Sequence, residues 1–167
     1  MIDLQFMNMT NTVWQRGYYS LTKGLLDGHV DRAPGLTLDA RSSQQLTISE
    51  NALRIVATHT IDVKCCWWEP NSRVLFGIWA HAPYKFVLGT GKSPYWLTTF
   101  HTTDDKMASE HLWSRMDASP WKIVLDTLPF GVEATPTCER SSLSILVKID
   151  SHTIPEPTGF VTDLDIG

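Results

Sequence analysis

From Ala52 to Trp68 the chain alternates, and that alternation constrains the fold more than any other feature. The odd positions read Leu53, Ile55, Ala57, His59, Ile61 and Val63; the even ones read Arg54, Val56, Thr58, Thr60, Asp62 and Lys64. Side chains on a strand point to opposite faces in turn, so this pattern predicts a strand with one apolar and one mostly polar face. It exceeds the usual strand length, which predicts a bulge or bend within it. Gln45-Leu46-Thr47-Ile48 lies just upstream, and the turn-prone Ser49-Glu50-Asn51 predicts a hairpin between the two.

The same template recurs. Strands are predicted over Thr12–Thr22, around Leu36, Leu38 and Ala40, and over Arg73–His81, where both faces are apolar. A hairpin is predicted from Tyr84–Leu88 and Tyr95–Thr102 around Gly89-Thr90-Gly91. Trp121–Asp126 follows with Trp121, Ile123 and Leu125 inward, and then Leu143, Ile145, Val147 and Ile149 alternate with Ser144, Leu146 and Lys148. One helix is predicted after Thr103, with Asp104 and Asp105 in its first turn, a stripe of Met107, Ala108, Leu112 and Met116, and Pro120 beyond its end. Eight or nine strands with one short helix predict an all-β fold, an antiparallel β-barrel or, as the alternative, a two-sheet β-sandwich. The 167 residues fit a single domain, with an extended arm from about residue 154, where Pro155, Pro157 and Gly159 cluster.

Charge and cysteines narrow the partners. A formal charge of −4 argues against nucleic acid, which calls for a basic stripe. No run of 18 apolar residues exists, so no membrane helix is expected. The opening Met1-Ile2-Asp3-Leu4 has no leader pattern, and the three cysteines make no closed disulfide framework. A reducing, cytoplasmic setting is therefore the expectation, and a homodimer is admitted. The Asn8-Met9-Thr10 sequon is read as chance in that setting.

No motif names a reaction. Gly89-Thr90-Gly91-Lys92-Ser93 resembles the end of a P-loop, but Phe86 stands where the first glycine is needed and a strand follows. His59, on the apolar face of the long strand, is the candidate catalytic group, a general acid–base or an orienter of a substrate oxygen. His81 and His101 lie at strand ends without the spacing of a metal site, so neither metal nor cofactor is expected. Asp39 and Arg41, two apart on one strand face, could pair or meet an anionic group. Cys65 and Cys66 should point to opposite faces. Seven tryptophans carry the most weight. Trp14, Tyr18, Phe76, Trp79, Tyr95, Trp96 and Trp121 are the candidate lining of an aromatic pocket for a small apolar or aromatic molecule.

Trp14 on an early strand, followed by Gly17 and two tyrosines, resembles the opening of a lipocalin-like (calycin) barrel. Size, strand number and the single helix are similar too. The family signature has Gly two residues before its Trp, where this chain has Thr12; Arg140 is a loose counterpart of its late basic partner. The resemblance implies a shape that includes ligand carriers and cofactor-free cyclases and isomerases of natural-product pathways. No functional residue comes with it. The expected function is thus a pocket-forming barrel, a cyclase or isomerase working by confinement, with a carrier as one alternative. The other is a carbohydrate-binding sandwich, in which Trp67, Trp68 or Trp96 would lie exposed in a flat row.

Overall fold

The computed structural model describes residues 1–23, 28–50, 61–82, 93–103, 112, 114–139 and 142–152. These form twelve strands: β1 (Ile2–Asn8), β2 (Trp14–Lys23), β3 (Gly28–Arg32), β4 (Thr37–Leu38), β5 (Ser43–Glu50), β6 (Ile61–Glu69), β7 (Val74–Ala82), β8 (Tyr95–His101), β9 (Asp117–Ser119), β10 (Ile123–Thr127), β11 (Phe130–Glu139) and β12 (Ser142–Ser151). They build two six-stranded sheets. Sheet I has the order β10-β11-β12-β1-β5-β3, and sheet II the order β4-β2-β6-β7-β8-β9. Neither closes on itself. The all-β expectation holds, but the barrel is corrected to the sandwich. Inward alternation is common to both architectures, so the pattern alone could not separate them.

The core lies between the sheets. Sheet I supplies Ile2, Leu4 and Phe6 from β1, Leu46 and Ile48 from β5, and Leu143, Ile145, Val147 and Ile149 from β12, all essentially buried. Pairing aligns these sets: Leu4 faces Leu46 on one side and Ile145 on the other. Sheet II answers with Trp14, Val63, Cys65, Trp67, Val74, Phe76, Ile78, Tyr95 and Leu97. A one-residue slip would turn every one of these outward, so burial itself pins the register. β1 and β12 are parallel, the one such pair among the described strands.

A buried amide ties the sheets together. Asn8 donates from Nδ2 to the carbonyls of Thr12 (2.8 Å), Leu38 (3.2 Å) and Asp39 (2.9 Å), while its Oδ1 accepts from Thr10 N and Oγ1 at 3.0 and 2.6 Å. The sequon nitrogen is therefore occupied and buried in the folded chain. Glu69, also buried, accepts from Asn71 N, Ser72 N and Ser72 Oγ, which caps the turn between β6 and β7. That turn places Arg73 at a positive φ of 61°.

Several local expectations change. β5 does not pair with β6; it lies between β1 and β3 in the other sheet. Its apolar residues Leu46 and Ile48 find their cross-strand partners in Leu4 and Ile2, so β5 and β6 belong to opposite sheets. Trp121 is 74% exposed rather than inward. It precedes β10, where the chain passes from sheet II to sheet I, outside the alternating frame. Leu36 is exposed as well, and Asp39 and Arg41 flank a turn, with Arg41 at φ 57° and its Nε donating to Asn11. The Ala52–Trp68 strand is present as β6 from Ile61; its part over 52–60, the strand at 84–88, the turn at 89–91, the helix over 104–111 and the arm from 154 lie outside the described residues. No helix among the described residues is long and apolar enough to cross a membrane.

Candidate functional site

The two outer faces differ in chemistry. On sheet I it is polar: Asp3 Oδ1 accepts from Gln45 Nε2 (2.8 Å) and Thr47 Oγ1 (2.9 Å), and Ser144, Lys148 and Glu133 continue it. On sheet II it carries Asp62, Lys64, Cys66 and Trp68 from β6, Leu75, Gly77, Trp79 and His81 from β7, and Trp96, Thr98 and Phe100 from β8.

Half of that face is covered. Leu112 packs on Cys66 and Leu75, with Trp68 and Phe100 at the margin. Gly77 makes the approach close: a Cβ there would stand 3.4 Å from the Leu112 methyls. Thr98 Oγ1 donates to the Arg115 carbonyl at 3.1 Å and fixes the covering segment.

The other half is an aromatic column. Register puts Lys64, Trp79, Trp96 and Ala118 in one row across four strands. Lys64 Nζ sits 4.5 Å from the Trp79 ring centre. Trp79 and Trp96 stack with centroids 4.4 Å apart and planes 27° from parallel. Beside them His81 and Asp62, directly opposed on β7 and β6, are joined from Nδ1 to Oδ1, and both side chains are about three-quarters buried. The imidazole also stands edge-on to Trp96, 6.5 Å between centroids. Asp62 holds Nδ1, which leaves Nε2 to face another partner. The Trp79 and Trp68 indole N–H groups are buried with no acceptor among the described residues.

The candidate lining residues divide between three places. Trp14, Phe76 and Tyr95 point into the core. There Trp14 meets Phe76 and Phe130 edge-on at 5.5 and 4.9 Å, and Phe6 meets Trp67 and Phe76 at 5.4 and 6.3 Å. Trp79 and Trp96 face the opposite way, and Trp121 lies exposed at the rim. Thus the described members do not converge on one pocket. Tyr18 falls on β2, but its side chain, like His59 as a whole, lies outside the described residues. Trp67 is buried, and Trp79 and Trp96 are stacked face to face rather than laid in a flat row.

Two titratable core groups are tuned by burial. Tyr95 is pushed up to about 12, mainly by desolvation and partly offset by a hydrogen bond with the Ile123 backbone. Its hydroxyl donates to the Trp121 carbonyl and lies 3.2 Å from that of Ala134. Burial also raises the Cys65 thiol, with Cys66 adding to it and Arg16 opposing. A thiol held protonated is a poor nucleophile at neutral pH. Cys65 and Cys66 do face opposite ways, one in the core and one under Leu112.

Sequence reasoning missed Lys64, Asp62 and the His81 pairing as a unit. The signal was present: Asp62 and Lys64 share the polar face of β6, and Trp79 and His81 are two apart on β7. What was missing was the register that lays one set against the other. Among the described residues no group of three His, Cys, Asp or Glu side chains could hold a metal ion. Compared with protein-family models and with curated proteins, the chain finds no match.

Proposed function

We propose that this chain is a β-sandwich recognition module that binds a ring-bearing ligand, a saccharide above all, on the outer face of sheet II. The supporting observation is the partly buried Trp79–Trp96 stack on the outer face, with the Asp62–His81 pair at its margin. An indole face matches the C–H face of a sugar ring, and a carboxylate and an imidazole nitrogen match its hydroxyls. Lys64 and Trp79 cover each other, so the outer side of Trp96, next to the exposed and small Ala118, is the place for the ring. An enclosed pocket, whether for a cyclase, an isomerase or a carrier, has less support. Three of its candidate residues, Trp14, Phe76 and Tyr95, are engaged in core contacts.

Titration calorimetry against a panel of mono- and oligosaccharides tests this, with Trp96→Ala beside the parent chain. The expected result is saccharide binding that weakens about tenfold or more in Trp96→Ala, in line with about 1–3 kcal/mol for a lost aromatic stack, while the circular dichroism spectrum stays the same. Binding of an apolar small molecule, unaffected by Trp96→Ala and without any saccharide binding, would return the function to an enclosed pocket.

A further inference from the structure

Strand β10 forms one edge of sheet I, hydrogen-bonded within its sheet to β11 alone. Natural edge strands are usually short, charged, bent or covered, because an open edge pairs with other chains. Here the edge is five residues long, touches β8 through the Thr127 hydroxyl donating to Thr99 Oγ1, and carries exposed apolar side chains among its charges. Trp121, Val124 and Leu128 are 74, 57 and 58% exposed, three of the seven large hydrophobic side chains that the described surface leaves exposed. All three fall within eight consecutive residues.

The outward positions along this edge are Lys122, Val124 and Asp126, a cation, an apolar residue and an anion. Such a triplet is self-complementary when run antiparallel to itself. With Val124 opposite Val124 of a second copy, Lys122 falls opposite Asp126 of that copy, and Asp126 opposite its Lys122. The row extends further within each copy. Lys122 Nζ bonds Glu133 Oε2 of β11 at 3.0 Å, and Asp126 Oδ1 bonds His152 Nε2 beyond β12. Gly131 leaves room for that last pair: a Cβ there would lie 2.4 Å from His152 Nε2. Read across the junction, the order is Glu133, Lys122, then Asp126 and His152 of the second copy, with a proton-binding or cationic group alternating with a carboxylate. Opposed unlike charges favour a strand pair and fix its register, and like charges directly opposite destabilise it.

We propose that β10 is a homodimer interface: β10 pairs antiparallel with β10 of a second copy about a two-fold axis through Val124, joining the two copies of sheet I. The interface is isologous, as the self-complementary triplet requires. The proposal is independent of the ligand site, which lies on the other sheet.

Sedimentation of the full chain across a concentration series reads the dimer directly. Lys122→Asp places two carboxylates opposite each other at both ends of the triplet, and Asp126→Lys does the same with cations. Each alone is expected to raise the dimer dissociation constant by about tenfold or more. The double variant Lys122→Asp with Asp126→Lys restores opposition of unlike charges between the copies, although it gives up the pairs with Glu133 and His152 within each copy. It is expected to dimerise at least about threefold more tightly than either single variant, since the coupling between copies belongs to the couple and not to either residue. Circular dichroism confirms that each variant is folded, and the double variant controls for any loss of fold in the single ones. A chain that stays monomeric at all concentrations overturns the proposal. So does a dimer that ignores the single changes, or one that the double change does not recover.

Discussion

Two populations of aromatic rings sit on opposite faces of the same strands, and they are arranged differently. On β6, β7 and β8 the inward set includes Trp67, Phe76 and Tyr95, and the outward set includes Trp68, Trp79, Trp96 and Phe100. Inside, rings meet at 46–65°: edge-on for Phe6 with Trp67 and Trp14 with Phe76 and Phe130, and tilted for Phe6 with Phe76. Outside, Trp79 and Trp96 lie 27° from parallel. Inner rings reach across from two sheets and must interdigitate, which favours edge-to-face contact. Outer rings rise side by side from directly paired positions on neighbouring strands, so they stack. The inner set is committed on all sides to the fold. The outer set is only partly buried, and it is the face on which the proposed recognition would take place.

This contrast can be broken most severely from the inside. Trp14→Ala removes a buried indole that touches both sheets, and a loss of about 3–5 kcal/mol is expected in urea unfolding. A loss under about 1 kcal/mol would mean that the inner rings are not what the sandwich rests on. Tyr95→Phe sharpens the comparison, because Tyr95 is the inner ring with a polar end. It should cost about 1–3 kcal/mol at neutral pH by leaving the Trp121 carbonyl without its donor. Its pH signature follows from the raised value. The folded phenol titrates near 12 and the unfolded one near 10, so the fold keeps the proton longer. The contribution is complete below pH 10 and is lost as pH rises from 10 to 12, about 2–3 kcal/mol in all. Tyr95→Phe should flatten that alkaline decline in thermal melts; an unchanged decline would detach Tyr95 from it. Lys64→Met is the smallest change and probes the outer set. It removes the cation over Trp79 but keeps an apolar stem, and about 0.5–1 kcal/mol is expected. A loss as large as that of Trp14→Ala would erase the distinction between the two faces.

Much of the fold was legible, and the limits were physical. β12 was readable because burial on a regular strand writes a period of two into the sequence, as in Leu143, Ile145, Val147 and Ile149, and β7 because burial on both faces writes a continuous apolar run. β1 carries the same signal in Ile2, Leu4 and Phe6 but was passed over. β11 was missed for a different reason: Pro136 and Gly131 break the strand-like composition, and only the partners β10 and β12 supply what the local propensity lacks. Pairing was less legible than strand position. β5 and β6 are neighbours in sequence and strangers in space, because alternation tells which face is apolar but not which sheet the strand joins. The site suffered from the same blindness. Trp79 and Trp96 were picked out as residues, while their direction away from the core and their alignment with Lys64 depend on register, which no single strand encodes. Trp121 was assigned inward by extending the β10 frame two residues too far, across a change of sheet.

The parallel contact of β1 with β12 has a consequence for how the chain is made. β1 is made well before β12, with more than 130 residues between them in the register Ile2 to Leu143. A nascent chain can zip β1 to β5 early, yet the middle of that layer stays split until residue 151 has left the ribosome. Contacts of such long sequence separation slow folding, since the intervening loop must be closed before they reward it. Until then Ile2, Leu4 and Phe6 are half-clothed, and this is the interval in which a chaperone has something to hold.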